Sequence, residues 1–69
     1  MSYVEFRDSI HRKLRKNSSG MTWIELKEAL DLPYNQPCPE WVRQLEKELG
    51  LVRSKEPRSR AFVWRLKKN

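Results

Sequence analysis

The spacing of apolar residues changes once along the chain, and this change limits the folds that the chain can adopt. Up to Gly50 the apolar residues recur every three or four positions, which is the period of an α-helix. Further on, Phe62, Trp64 and Leu66 occupy every second position, which is the period of a strand. The sequence therefore predicts an α+β domain in which helices come first and a β-hairpin follows.

The first two helices are predicted from their capping patterns and apolar stripes. Ser2 precedes a helix from Tyr3 to Lys16, and Thr22 precedes a helix from Trp23 to Asp31, because each cap is followed three residues later by a glutamate. The stripes are Tyr3, Phe6, Ile10 and Leu14 in the first helix, and Trp23, Leu26 and Leu30 in the second. Two prolines between residues 32 and 38 predict a rigid connection to the third helix.

The third helix is bounded by Pro39, which suits the first helical position, and Gly50, which suits the position after the last. Val42, Leu45 and Leu49 form its inward stripe, with Trp41 at the edge. The opposite side carries polar residues at the same spacing: Glu40, Arg43, Gln44 and Lys47. The helix is therefore amphipathic with a polar face.

A two-stranded antiparallel hairpin is predicted after the third helix. Its strands run from Leu51 to Lys55 and from Ala61 to Leu66, with a turn over residues 56–60. Four basic residues cluster on it: Arg53, Lys55, Arg58 and Arg60. We interpret residues 1–69 as a single domain, with residues 67–69 as a frayed tail.

Several classes of function are excluded by composition. Cys38 and His11 are the only residues of their types, so neither an intrachain disulfide nor a zinc site of cysteine and histidine ligands is expected. We find no catalytic constellation and expect no enzyme, no cofactor and no metal. Because the sequence shows neither a membrane-spanning stretch nor a signal peptide, we expect the protein inside the cell, in the cytoplasm or nucleoid, or in the nucleus of a eukaryote. We expect a monomer, since no heptad pattern or extra helix for dimerisation is visible.

The charge is unevenly distributed. The chain carries a net charge of +6, made up of +3 over residues 1–16, −2 over 17–39, −1 over 40–50 and +6 over 51–69. Positive charge at defined places, rather than spread evenly, favours an anionic partner. The helix dipole gives another explanation for the cations at the end of the first helix, among them Arg15 and Lys16.

The order helix, helix, turn, helix, hairpin resembles the winged helix-turn-helix superfamily. The segment "MTWIELKEALDL" is similar to the second helix of that superfamily, "CPEWVRQLEKELGLV" to its recognition helix, and "RSKEPRSRAFVWRL" to its wing. Trp64 in the last strand also fits the binders of Z-form nucleic acid, but the adjacent prolines that mark their wing are missing. The resemblance implies a small winged helix-turn-helix domain that binds double-stranded DNA, with a role in transcription regulation.

Roles for individual residues follow from this resemblance. The third helix is expected in the major groove, with Arg43 contacting guanine, Gln44 contacting adenine, and Glu40 and Lys47 on the same face. The wing is expected on phosphates or in the minor groove, through Arg53, Lys55, Arg58 and Arg60. Tyr34 and Asn35 are candidates for hydrogen bonds to phosphates near the start of the third helix.

Two other functions stay open at this stage. The architecture also serves as a protein-interaction module, and the slightly acidic second and third helices favour that use, with an acidic partner or a larger assembly. RNA binding requires an exposed aromatic platform, which this sequence provides only if Trp41 and Tyr34 point outward. A solvated helix side and the protection of an exposed strand edge are the structural alternatives for the charged residues.

Overall fold

Three helices and three strands are present in the computed structural model, which describes residues 1–55 and 61–67. In chain order the elements are α1 (Tyr3–Lys16), β1 (Met21–Thr22), α2 (Trp23–Leu30), α3 (Pro39–Leu49), β2 (Leu51–Lys55) and β3 (Phe62–Leu66). The predicted α+β class is confirmed. The bounds of α1, α3 and β2 agree with the predictions, whereas α2 ends one residue earlier and β3 begins one residue later.

Side-chain caps begin the first two helices, as the capping patterns predict. The amide of Glu5 donates to Ser2 Oγ at 3.2 Å. At α2 the bonds are reciprocal, because the Glu25 amide donates to Thr22 Oγ1 at 3.2 Å and the Thr22 amide donates to Glu25 Oε1 at 3.0 Å. Helix α2 ends at Leu30 because Asp31 is left-handed, with φ of 50°.

Helix α3 passes almost directly into the hairpin. Pro39 occupies its first turn, and Gly50 ends it in the left-handed conformation with φ of 68°. The Gly50 carbonyl then accepts a hydrogen bond from the Lys67 amide at 2.8 Å, which ties the end of β3 to the start of β2. Of the predicted tail, residues 68 and 69 lie outside the described residues.

The sheet has three strands, so the prediction of a two-stranded hairpin is wrong in strand number. Its order is β1-β3-β2, and both pairings are antiparallel. Met21 pairs with Trp64, and Thr22 with Val63. A strand of two residues is too short to show the alternation that identifies strands in a sequence, and the pairing depends on residues more than 40 positions away.

The core lies between the helices and one face of this sheet, and Trp64 is at its centre. Trp64 is 2% exposed and lies on β3, which is paired on both sides. Trp23 and Trp41 are partly buried against the same core. Among the described residues, the buried apolar ones are Phe6, Ile10, Leu14, Met21, Leu26, Leu32, Val42, Leu45, Leu51 and Trp64. All three helices therefore bury one stripe against the face of the sheet that carries Trp64.

Replacement of Gly20 by alanine should destabilise the fold strongly. Gly20 has φ of 97°, and a Cβ atom there would lie 2.5 Å from Val63 Cγ1 and 3.0 Å from the Trp64 carbonyl oxygen. We expect G20A to lower the free energy of unfolding by about 3 kcal/mol, since left-handed strain and overpacking of β3 add together. Urea unfolding of the wild-type and variant proteins measures this loss.

Gly50 provides the matched control. Its φ of 68° is also left-handed, but among the described residues an added Cβ atom would meet only Lys67 Cβ, at 3.3 Å. G50A should therefore cost about 1 kcal/mol, the strain alone. Equal losses in the two variants would contradict the close approach of Gly20 to β3.

Candidate functional site

The exposed side of α3 gathers four of the residues predicted to contact DNA. They are spaced three or four positions apart on the side of the helix opposite to Val42 and Leu45, which are buried. Together with Glu48 they line one shallow hollow, which we call the α3 hollow: Glu40, Arg43, Gln44 and Lys47. All four are exposed to solvent. The burial of the opposite stripe therefore fixes which side chains α3 presents.

Glu48, at the edge of the α3 hollow, is held by α1. Arg7 Nη1 donates to Glu48 Oε1 at 2.8 Å, while Arg7 Nε donates to Asp8 at 3.1 Å. The hydrogen bond from Arg7 lowers the pKa of Glu48 below its ordinary value, and a hydrogen bond from Gln44 lowers it further, against an opposing effect of burial. The charge of Glu48 is therefore balanced by Arg7 of α1, and Gln44 lies next to this carboxylate.

Arg43 and Lys47 line the α3 hollow without an ion-pair partner among the described residues. Within residues 1–55 and 61–67, neither forms an ion pair, and the same holds for Glu40 and Glu46 on the exposed side of α3. This side therefore carries two positive and two negative charges, and its total is close to neutral. A neutral surface with donors and acceptors suits contacts to base edges better than attraction to phosphates.

Of the four basic residues predicted to form the cationic wing, the structure describes Arg53 and Lys55. They pair across the sheet with Trp64 and Phe62, and directly opposite residues of paired strands share a face. The Arg53 guanidinium carbon lies 5.6 Å from the centre of the Phe62 ring and 5.8 Å from that of Trp64. These rings hold the Arg53 side chain in place while it stays exposed. Arg58 and Arg60 lie outside the described residues.

In the connection between α2 and α3, Asn35 is exposed at the surface, whereas Tyr34 packs against the core. The Asn35 carbonyl accepts from Trp23 Nε1 at 3.0 Å, and its side-chain Oδ1 accepts from Lys27 Nζ at 2.9 Å, so Asn35 is exposed but fixed at both ends. The Tyr34 ring packs edge-on against Trp41, with 5.8 Å between ring centres. Tyr34 and Trp41 therefore pack against the core, and they do not form the outward platform that RNA binding would need.

A groove opens between the hairpin and the connection from α2 to α3. We call it the hairpin groove; its volume is about 430 Å³. The lining residues are Trp23, Ile24, Asn35, Gln36, Pro37, Arg53, Ala61, Phe62 and Trp64. Pro37 lines this groove, and Glu40, three residues later, lines the α3 hollow, so each surface has a lining residue within two positions of Pro39, the first residue of α3.

Sequence reasoning missed the apolar part of the hairpin groove. Phe62 is 50% exposed, although it alternates with Trp64 and Leu66 in the predicted strand, and Ile24, next to the apolar stripe of α2, is 61% exposed. Phe62 shares a face with Trp64, so alternation alone gives no reason to separate them. The signal that was available is the position of Phe62 at the hairpin end of β3, where the strand extends past the core.

The comparisons with family models, with curated proteins and with solved structures gave no significant match. In the described part of the chain no group of three or more histidine, cysteine, aspartate or glutamate side chains is arranged to hold a metal ion. Among the described helices, none has both the length and the apolar character needed to cross a membrane. The interpretation of the site therefore depends on its own geometry and charge.

The contact between Arg7 and Glu48 predicts a defined pH dependence. Because the pKa of Glu48 is lowered in the folded protein, its ionisation stabilises the fold above the ordinary value of 4.5, and this contribution is lost as the pH falls through the lowered value. R7A should raise the pKa of Glu48 toward 4.5, and it should lower the melting temperature at neutral pH more than at about pH 3. Side-chain NMR titration and thermal unfolding measure the two effects.

R7K is the matched control, since it keeps the positive charge but removes the planar group that contacts both Glu48 and Asp8. We expect an intermediate pKa for Glu48 in this variant. An unchanged Glu48 pKa in R7A would contradict the assignment of Arg7 as the main cause.

Proposed function

We propose that this chain binds nucleic acid, with double-stranded DNA as the ligand, through α3 and the basic hairpin. The observation that carries the proposal is that the α3 hollow and the hairpin groove both have a lining residue close to the beginning of α3. A helix that is exposed next to a cationic hairpin can read base edges while the hairpin contacts the backbone. In the same proposal the fold is a small winged helix-turn-helix that acts as a monomer in the regulation of transcription.

In this proposal α3 supplies base selectivity. Arg43 is exposed and free of ion pairs among the described residues, so its guanidinium is available for two parallel hydrogen bonds to guanine. Gln44 lies close enough to Glu48 to lower the pKa of that carboxylate, and its exposed amide is available for a contact with adenine. Glu40 offers an acceptor for the amino group of cytosine. Because the net charge of this surface is small, α3 contributes little attraction of its own.

The hairpin supplies the attraction to phosphates. Arg53 is held between the Phe62 and Trp64 rings, so less side-chain entropy is lost when it meets a phosphate. Lys55 lies at the hairpin end of β2 on the same face of the sheet. Asn35, fixed on the other side of the hairpin groove, is placed to add a hydrogen bond to the same strand of the duplex. Attraction and selectivity thus reside in different elements.

Binding to duplex DNA should depend steeply on salt. With about five phosphate contacts, the slope of log affinity against log salt concentration should lie near −4 to −5. R53A should weaken binding to every sequence by about the same factor and bring the slope closer to zero by about one. Fluorescence anisotropy with a labelled duplex over a series of salt concentrations measures both. A slope near zero for the wild-type protein would contradict DNA binding.

Arg43 should affect selectivity rather than general attraction. R43A should reduce discrimination at one base pair by roughly 1 to 3 kcal/mol, as measured by competition among single-base variants of a selected site. R43K is the matched control, because it keeps the charge but loses the bidentate fork, so the salt slope should be kept and the base preference lost. If R43A and R53A changed affinity and preference equally, the division between α3 and the hairpin would be wrong.

The alternative function is a protein-interaction module, and the hairpin groove is the observation that favours it. Ile24 and Phe62 expose apolar surface beside Arg53, and apolar surface near an arginine is typical of protein interfaces. F62A separates the two functions. It should disrupt a protein complex, whereas duplex binding should keep the salt slope of the wild-type protein.

A further inference from the structure

A second cationic surface lies at the C-terminal end of α1. We call it the α1 basic surface and define it by Arg12, Lys13, Arg15, Lys16 and Lys67. Arg12, Lys13 and Lys16 surround Ser9 and Leu30 in one shallow hollow of about 200 Å³. Arg15 and Lys67 line a second hollow beside it, together with Leu66. The fold therefore brings the end of β3 against the end of α1, so that a fifth cation joins the four of the helix.

The cations of this surface have no ion-pair partner among the residues that the structure describes. The two carboxylates of α1 lie nearer its beginning, where Glu5 accepts from the Ser2 hydroxyl and Asp8 accepts from Arg7. Within residues 1–55 and 61–67, no carboxylate forms an ion pair with any member of the α1 basic surface. In the described part of the chain, five like charges therefore remain together without an ion-pair partner.

The helix dipole accounts for only a small part of this cluster. A helix C-terminus carries roughly half a negative charge, and its effect fades within the last turn. The end of α1 carries four positive charges from Arg12 to Lys16. An excess of this size raises the energy of the isolated domain by self-repulsion, and an anionic ligand removes that repulsion.

The α1 basic surface is separate from the proposed DNA-reading face. Leu66 and Lys67 at one end of β3 belong to the former, whereas Phe62 at the other end lines the hairpin groove. Leu66 lies four positions after Phe62 in β3, which corresponds to about 13 Å along the strand. The two surfaces thus lie at opposite ends of the central strand.

We propose that the α1 basic surface is a second binding site for the phosphate backbone of a duplex, so that one molecule holds two duplex segments at once. Several unpaired cations around shallow hollows match a dense line of phosphates, which needs no deep pocket. The residues that line these hollows include no aromatic side chain for stacking on bases. The site therefore holds a backbone without reading its sequence. The bridging of two duplexes rests on the function proposed above, because α3 and the hairpin hold the first one.

The test measures energy transfer between two short duplexes, one carrying a donor dye and the other an acceptor, mixed with the protein at about 0.15 M salt. The wild-type protein should bring the dyes together. The triple variant Arg12→Gln, Arg15→Gln, Lys16→Gln should lose this transfer, while its binding to a single duplex stays close to that of the wild-type protein. Circular dichroism shows whether α1 is retained in the variant.

A charge-conserving triple variant, Arg12→Lys, Arg15→Lys, Lys16→Arg, is the matched control and should still bridge. Bridging that survives in the glutamine variant, or that is lost in the charge-conserving variant, would overturn the proposal. Binding of a polyglutamate peptide to this surface without capture of a second duplex would assign it to an acidic protein, and would also overturn it.

A separate variant tests whether α3 and the hairpin form the first duplex-binding site. The double variant R43A, R53A leaves the α1 basic surface intact, so it should bind one duplex weakly and lose bridging. If this double variant bound and bridged like the wild-type protein, the proposed role of α3 and the hairpin would be wrong, while the result from the glutamine variant would still decide the role of α1.

Discussion

The burial of Trp64 is the constraint on which the rest of the molecule depends. Its ring is 2% exposed, lies 5.5 Å from the Trp23 ring between centres, and belongs to the strand that pairs on both sides. A domain of 69 residues buries only a modest share of its surface, so one large aromatic side chain at the centre supplies a substantial part of the hydrophobic stabilisation. The packing of Trp64 fixes which face of β3 meets the helices.

That choice of face also creates the candidate site. Phe62 and Trp64 point to the same side of β3, but the helices cover only the second of them, and Phe62 stays 50% exposed. Arg53 stacks near both rings and is held at the boundary between core and solvent. The strand that completes the core therefore continues beyond it, and the hairpin groove is the space left between this extension and the connection from α2 to α3.

The fold distributes the charged residues unevenly over the surface, which the net charge of +6 does not show. Arg7 is used inside the domain, where it joins α1 to α3 through Glu48 and lowers the pKa of that carboxylate. The exposed side of α3 is close to neutral, whereas the hairpin and the end of α1 are strongly positive. The fold therefore separates a nearly neutral helix face from two cationic regions, which lie at opposite ends of β3.

The sequence by itself determined the helices, because capping residues such as Thr22 and chain terminators such as Gly50 act on their immediate neighbours. It also determined which residues face outward on α3, since helical periodicity is a local property. Three features were decided only by the tertiary structure. The third strand exists because Met21 pairs with Trp64, Phe62 is exposed because the helices do not cover it, and Lys67 lies beside the end of α1. These features depend on pairing and covering by residues distant in the chain, which no short window of sequence encodes.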